Sequence, residues 1–220
     1  MPPRLMMEYL PPKDPLRVIH EDAAVIVISK PSGLLSVPGK PAEHRDCLLD
    51  RVVAVFPDAL LIHRLDLETS GIVIFARGRV AQKQLNRQFE KRVVEKTYIA
   101  RVEGRVVGSG GRIELPLTAD WPNRPMQKVC FDTGKPSVTD WRVLDREADA
   151  TRLSLTPHTG RSHQLRVHLR AIGHSILGDP FYASEAGLRA ASWLQLHAES
   201  LRFRHPDGGD WMCCADPCPF

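Results

Sequence analysis

The sequence predicts an α+β protein built on a mixed, largely antiparallel central sheet with flanking helices and loops. Two observations carry that expectation. Apolar strand signals outnumber helical ones, and they fail to alternate strictly with helices as a doubly wound parallel sheet requires. At 220 residues the chain is long enough for one sizeable core, or for two small lobes sharing a cleft. A single domain over residues 1–220 is the expectation.

Pro11, Pro12 and Pro15 mark residues 1–20 as an extended N-terminal arm. Ala23 to Ser29 reads as a short buried strand, closed by the turn Lys30-Pro31-Ser32-Gly33. Asp46 is placed to cap a helix with Leu49, Val52, Val53 and Phe56 on one face, which Pro57 and Asp58 stop. Gly71 to Ala76 is a second apolar strand. A helix follows from about Arg79 to Lys91, with Ala81, Leu85 and Phe89 on one face and Lys83, Arg87 and Lys91 on another. Lys96 to Val102 alternates like a half-buried strand that puts Tyr98 and Ala100 on one side. Residues 108–136, rich in proline and glycine, read as strand and loop excursions. Leu153 and Leu155 sit in a further strand. Leu165, Leu169 and Ile172 at helical spacing, with Gly173 as the stop, predict a helix after Gly160.

Composition narrows the function classes. No apolar run approaches the roughly 18 residues needed to span a bilayer, so no membrane partner is expected. The N-terminus lacks the apolar stretch of a secretory signal, so a cytoplasmic location is expected. Net charge is only +4, but its distribution is uneven. Eight basic residues face three acidic ones between Arg79 and Arg105, and Arg161 to Arg170 holds three arginines and two histidines with no acid. Two such segments suit a phosphate-facing surface. The five cysteines, Cys47, Cys130, Cys213, Cys214 and Cys218, lack the paired spacing of a zinc site, so free thiols on a terminal segment and no metal are expected. No coiled coil or long apolar face suggests an obligate partner, so a monomer is expected.

Three places can carry chemistry. His63 to Gly71 sets Asp66 between a turn and a buried strand, beside Arg64, Thr69 and Ser70. There Asp66 is either a presented reactive group or a turn cap. Arg161, His163, Gln164 and Arg166 either bind phosphate, pair with a carboxylate, or form a solvated basic helix face. The spacing of His158, His163 and His168 does not bring two imidazoles onto one helix face. Tyr98 is either a core residue with a satisfied hydroxyl or a reactive one.

Taken in order, these segments resemble the RluA family of pseudouridine synthases from about Ala24 to Pro206. Lys30-Pro31-Ser32-Gly33-Leu34-Leu35 is similar to the family's N-K-P-x-G-L. His63-Arg64-Leu65-Asp66 with Thr69-Ser70-Gly71 matches H-R-L-D-x-x-T-S-G. Lys96, Tyr98, Ala100, Val102 and Gly104 match the strand of the active-site tyrosine. Gly160 to His168 matches G-R-T-H-Q-I-R-V-H. Leu177-Gly178-Asp179 with Tyr182 and Leu196-His197-Ala198 complete the set, and Asp120 to Pro125 with Gln127 to Cys130 and Thr133 to Pro136 is similar to the insert of one member of the family. Two departures, Ser36-Val37-Pro38 for the commoner V-H-P and Ser162 for Thr, are expected to leave the chemistry untouched.

The resemblance implies the pseudouridine synthase catalytic fold, with a catalytic cleft across the sheet and no cofactor. It implies an isomerase that breaks the N1–C1′ bond of a uridine flipped from structured RNA, turns the base, and rejoins it through C5. Short members of this family act on 23S rRNA and on the anticodon stem-loop of tRNAs. No room exists before residue 20 for an S4 RNA-binding domain, so RNA recognition is expected from the catalytic domain. Asp66 is implied as the carboxylate acting at the sugar, at C1′ or C2′, with Tyr98 packing on the uracil and accepting the C5 proton. A buried ionised Asp66 needs a cation, and Arg166 is expected to supply it, with Arg161 second. Arg64 is expected to hold the flipped nucleotide or fill its place, and Arg161, His163, Gln164, Lys83, Arg87 and Arg124 to contact RNA. A non-catalytic RNA-binding module and a metal-dependent nuclease are the competing readings. The joint presence of Asp66, Tyr98 and Arg166 speaks against the first, and the lack of clustered carboxylates against the second.

Overall fold

The computed structural model describes residues 9–220. In chain order these form β1 (Arg17–Glu21), β2 (Val25–Lys30), α1 (Leu48–Val55), β3 (Ala59–Leu61), β4 (Ser70–Arg77), α2 (Gly78–Glu90), β5 (Glu95–Glu103), β6 (Gly110–Glu114), β7 (Leu117–Ala119) and β8 (Gln127–Val129). There follow β9 (Val138–Arg146), β10 (Ala150–Pro157), α3 (Gln164–Ala171), α4 (Glu185–Arg189), β11 (Leu196–Arg204) and β12 (Trp211–Ala215). The described residues divide into two compact units, one holding 9–96 together with His197–Pro219, the other Thr97–Leu196 with Phe220.

In the first unit the strands run β1-β2-β4-β11, with β3 beside β4 and β12 beside β11. The β4–β11 ladder is parallel, with His197 opposite Ser70 and Ala198 opposite Gly71, while the other ladders of this unit are antiparallel. The sheet is therefore mixed, as the sequence predicts. β4 is buried on both faces from Ser70 to Ala76, which is why SGIVIFA reads as a continuous apolar run rather than an alternating one. α2 lays Ala81 and Leu85 against Val25, Val27, Ile72, Ile74 and Phe203, leaving Lys83, Arg87 and Lys91 in solvent. Each fully buried aliphatic or aromatic side chain here stabilises by about 1.5–3 kcal/mol.

The second unit is an antiparallel sheet in the order β5-β10-β9-β6, with β7 and β8 as a separate hairpin. α3 buries Leu165 and Leu169 against Ala100, Val102, Leu153 and Leu155. Gly173 ends it with φ +86°, the left-handed turn that a glycine stop requires.

Several expectations need correction. Residues 17–20 belong to β1 rather than to an extended arm, because Arg17 to Glu21 find partners along β2; residues 1–8 lie outside the described residues. The cap of α1 is Cys47, whose Sγ accepts from the Asp50 N–H at 3.5 Å, while Asp46 pairs with Arg51 through two 2.7 Å bonds. Val53 points to solvent. The five cysteines are free thiols as expected, and of the C-terminal three Cys213 and Cys214 lie in β12, opposite Arg202 and Leu201. None of the described helices is long and apolar enough to cross a membrane.

Candidate active site

Asp66 sits half-buried on the connection between β3 and β4, between exposed Arg64 and the buried Thr69 and Ser70. The backbone of this loop is gripped at Leu65, Leu67 and Glu68 by Lys30 and the segment that follows β2. Ser36 Oγ donates to the Leu65 carbonyl at 2.7 Å and accepts from the Leu65 N–H at 3.1 Å. The Leu67 carbonyl accepts from Gly33 N at 3.0 Å and from Lys30 Nζ at 3.0 Å. Ser32 Oγ donates to the Glu68 carbonyl at 2.7 Å, and Thr69 N closes the turn on the Asp66 carbonyl at 3.2 Å.

Lys30 is fully buried, and its three ammonium protons match three carbonyls, those of Pro31, Leu34 and Leu67, at 2.7–3.0 Å. Burial pushes its pKa down to about 7, against the opposing pull of Glu68 and Asp66. A polar residue with so specific a lattice of acceptors fixes geometry rather than carrying surface charge. Ser36, set aside in the sequence as a neutral departure, is thus a clasp on the residue next to Asp66.

The downstream end of the loop is fixed as firmly. Ser70 Oγ lies 2.9 Å from His197 Nδ1, and His197 Nε2 lies 2.9 Å from the Asp216 carbonyl. The carbonyl can only accept, so Nε2 carries the proton and Nδ1 accepts from the serine; burial holds the imidazole below its ordinary pKa. Gly71 has φ +111°, and a Cβ there would collide with the Ala198 backbone, so the strand can approach β11 only as glycine. At the other end His63 stacks on Phe89 with ring centroids 4.9 Å apart, and its Nε2 accepts from the Ile74 N–H at 3.1 Å. Burial first, and the Lys96 ammonium second, hold His63 down at about 3.

In the second unit, Tyr98 lies half-buried on β5 and packs against the cluster of Ala100, Leu153 and Leu155. Arg166, on the first turn of α3, is 2% exposed. Its Nε and Nη2 donate to the two carboxylate oxygens of Asp179 at 2.7 Å each, a bidentate pair, and its guanidinium carbon lies 5.2 Å from the ring centres of both Phe181 and Tyr182. Asp179 Oδ1 also accepts from the backbone N–H groups of Phe181 and Tyr182 at 2.9 and 3.1 Å. The sequence offered Asp179 only as part of a motif; its partner across 13 positions is visible only in the fold.

His163 precedes α3 in the left-handed region, φ +53°, held by Nδ1 at 2.7 Å from Tyr182 Oη and by stacking on Phe181. Such a backbone on a non-glycine residue is costly and needs those partners. Gln164 is buried, and both its amide protons and both lone-pair positions are used: Oε1 accepts from Thr159 Oγ1 and Arg161 N, and Nε2 donates to the Val138 carbonyl and Thr139 Oγ1. It braces the Thr159–Arg161 turn. Arg161 is half-exposed on that turn, and Arg124 is exposed on the β7–β8 hairpin. Lys83 and Arg87 share the solvent face of α2.

The ordered set of segments now has a counterpart in known proteins: residues 24–171 match the RNA pseudouridylate synthase family. The chain belongs to that family. The match takes in the Asp66 loop, α2, Tyr98 and α3, and ends before Asp179 and His197. Relatives extend the likeness further. The dual-specificity RNA pseudouridine synthase RluA of Vibrio cholerae is 49% identical over 216 residues, covering 98% of this chain and 88% of its own. The enzyme of the same name from Escherichia coli K12 is 48% identical over 217 residues, covering 98% and 99%. Among solved structures, human RNA pseudouridylate synthase domain containing 1 superposes with a TM-score of 0.79 at 27% identity, over 96% of this chain and 87% of that one. Human RNA pseudouridylate synthase domain containing 4 does so with a TM-score of 0.74 at 26% identity, over 92% and 88%.

Proposed function

We propose that this pseudouridine synthase isomerises specific uridines both in 23S rRNA and in the anticodon stem-loop of tRNAs, working as a monomer in the cytoplasm, with the whole chain as one catalytic domain. The near-full-length identity to relatives named as dual-specificity enzymes carries this reading. The target base is flipped from its stack at a cost of a few kcal/mol. Arg64, exposed two residues before Asp66, is the group that takes its place or holds it.

Asp66 is the catalytic carboxylate, acting as nucleophile at C1′ or as base at C2′. On the first route an Asp66–C1′ ester forms as N1–C1′ breaks and is itself broken as C5 bonds to C1′; on the second the C2′ proton taken by Asp66 returns to C2′ as C5–C1′ forms. In both, the C5 proton then leaves and N1 is protonated, so atoms balance with no co-reactant. Tyr98 packs on the uracil and takes the C5 proton. Arg166 is the cation that keeps the acid deprotonated while water is excluded, since hydrolysis would abort the isomerisation. Arg161, His163, Arg124, Lys83 and Arg87 hold the RNA, and Gln164 sets the turn that presents Arg161.

Mapping pseudouridines in cellular RNA with and without the protein tests the substrates: sites should vanish from both RNA classes, and loss from neither overturns the reading. Asp66→Asn should lower turnover by at least about 10³-fold while RNA binding survives. Binding lost together with turnover would give Asp66 a structural role instead.

A further inference from the structure

The β7–β8 hairpin ends in a feature that its folding does not explain. Trp121 stands 64% exposed at the tip, with the Arg124 guanidinium carbon 3.3 Å from its ring centre. The guanidinium covers one face of the indole, and exposure on this scale leaves the other face to solvent. An indole held out in water forgoes the burial that ordinarily justifies so large an apolar side chain.

The tip is also rigid. Asp120 N donates to the Met126 carbonyl at 2.9 Å, Asn123 N to the Asp120 carbonyl at 2.9 Å, and Met126 N to the Asn123 carbonyl at 3.0 Å. The Asp120 carboxylate accepts from Asn123 Nδ2 at 2.8 Å and pairs with Lys128 at 3.2 Å. Pro122 and Pro125 fix φ on either side. The hairpin is moored to α3: Leu117, Met126 and Val129 pack with Val167, Phe181 and Tyr182, and Gln127 N donates to Tyr182 Oη at 2.8 Å. The same hydroxyl meets His163. A loop whose only task was to connect two strands would need neither this bracing nor an unburied indole.

A flat π-face backed by a guanidinium suits a nucleobase. Any base can stack on it, and the adjacent positive charge attracts the phosphodiester chain that carries the base. Asp120, the nearest acid of the tip, is neutralised by Lys128, so the local charge stays positive.

We propose that Trp121, backed by Arg124, is a stacking platform for an unpaired base of the RNA other than the uridine being isomerised, and so a determinant of which loops are accepted. This rests on the RNA substrates proposed above. The experiment measures dissociation constants of the full-length Asp66→Asn chain for an anticodon stem-loop RNA and a 23S rRNA stem-loop, each also made with a single abasic site at every loop position in turn. Trp121→Ala should weaken binding of the intact RNA about tenfold, with Trp121→Phe retaining most of the affinity. One abasic position should weaken binding to the Trp121 chain by a similar factor and cancel the penalty of the alanine variant. Because Trp121 is largely exposed, its removal should leave the thermal midpoint unchanged within a few degrees, which separates stacking from misfolding. Affinity of Trp121→Ala equal to that of the Trp121 chain for both RNAs overturns the proposal. So does a penalty that persists at every abasic position. Turnover of the same RNAs by the unmodified protein is scored separately, so that failure of the substrate reading is distinguishable from failure of the platform.

Discussion

The loop bearing Asp66 is gripped through its backbone, by Ser32, Gly33, Ser36 and Lys30. Arg166 is gripped through its own functional group, by Asp179. A backbone clasp distributes its hold over many weak bonds. A side-chain clasp concentrates the hold in one buried ion pair and fixes the very atoms that carry the charge. The first should lose function gradually as its bonds are removed one by one, and the second abruptly.

The sharpest break of that contrast is at the ion pair. Asp179→Ala removes the bidentate partner of a buried guanidinium and should cost about 3–5 kcal/mol of stability, read from urea unfolding. Arg166→Lys keeps the charge but loses the two-pronged contact, and its single-turnover rate should fall roughly 100-fold. A near-normal rate would remove Arg166 from the chemistry.

The acid side of the comparison is tested by pH. Below about pH 6.5 the unfolded chain takes up a proton on His63 that the folded chain, with its imidazole held at about 3, refuses. The contribution is therefore fully present above 6.5 and is lost as the pH falls toward 3. His63→Gln, which keeps an acceptor for Ile74 N but does not titrate, should lose about 3 kcal/mol less stability than the parent between pH 7.5 and 4.5. Parallel loss in both proteins would mean that His63 takes up its proton in the fold.

Ser36→Ala removes two bonds to Leu65 and should cost about 1–2 kcal/mol, with a rate reduced by roughly tenfold or less. A collapse as deep as that of Arg166→Lys would erase the distinction between the two clasps. The smallest effect is expected on α2, outside both. Paired Lys83→Ala and Arg87→Ala should reduce the slope of log affinity against log salt by about 1.5–2 and leave the melting point nearly unchanged. An unchanged slope would place α2 away from the RNA.

Legibility of the fold tracked burial pattern. β4 was readable as a continuous apolar run, and α2 and α3 because apolar residues recur there at helix spacing. β9 was not, because Val138 to Arg146 interleaves Asp140, Arg142, Asp145 and Arg146 and carries no apolar run. β12 was hidden because Trp-Met-Cys-Cys-Ala gains its strand identity only by pairing with β11. The site divides in the same way. Asp66, Tyr98 and Arg166 stood out through ordered motifs, whereas Ser36 looked like a harmless substitution and Asp179 like a motif letter. Hydrogen-bond partners 13 to 127 residues apart leave no periodicity to detect.

By itself the sequence determined the family, the α+β class and the two basic segments, because each is written in local pattern or in ordered motifs. Only the tertiary structure decided that Lys30 is an internal brace, that Gln164 spends its hydrogen bonds on a turn, that Gly71 must be glycine, and that Trp121 stands out in water. Those are questions of which groups meet across the chain, and a linear string of residues carries no distances.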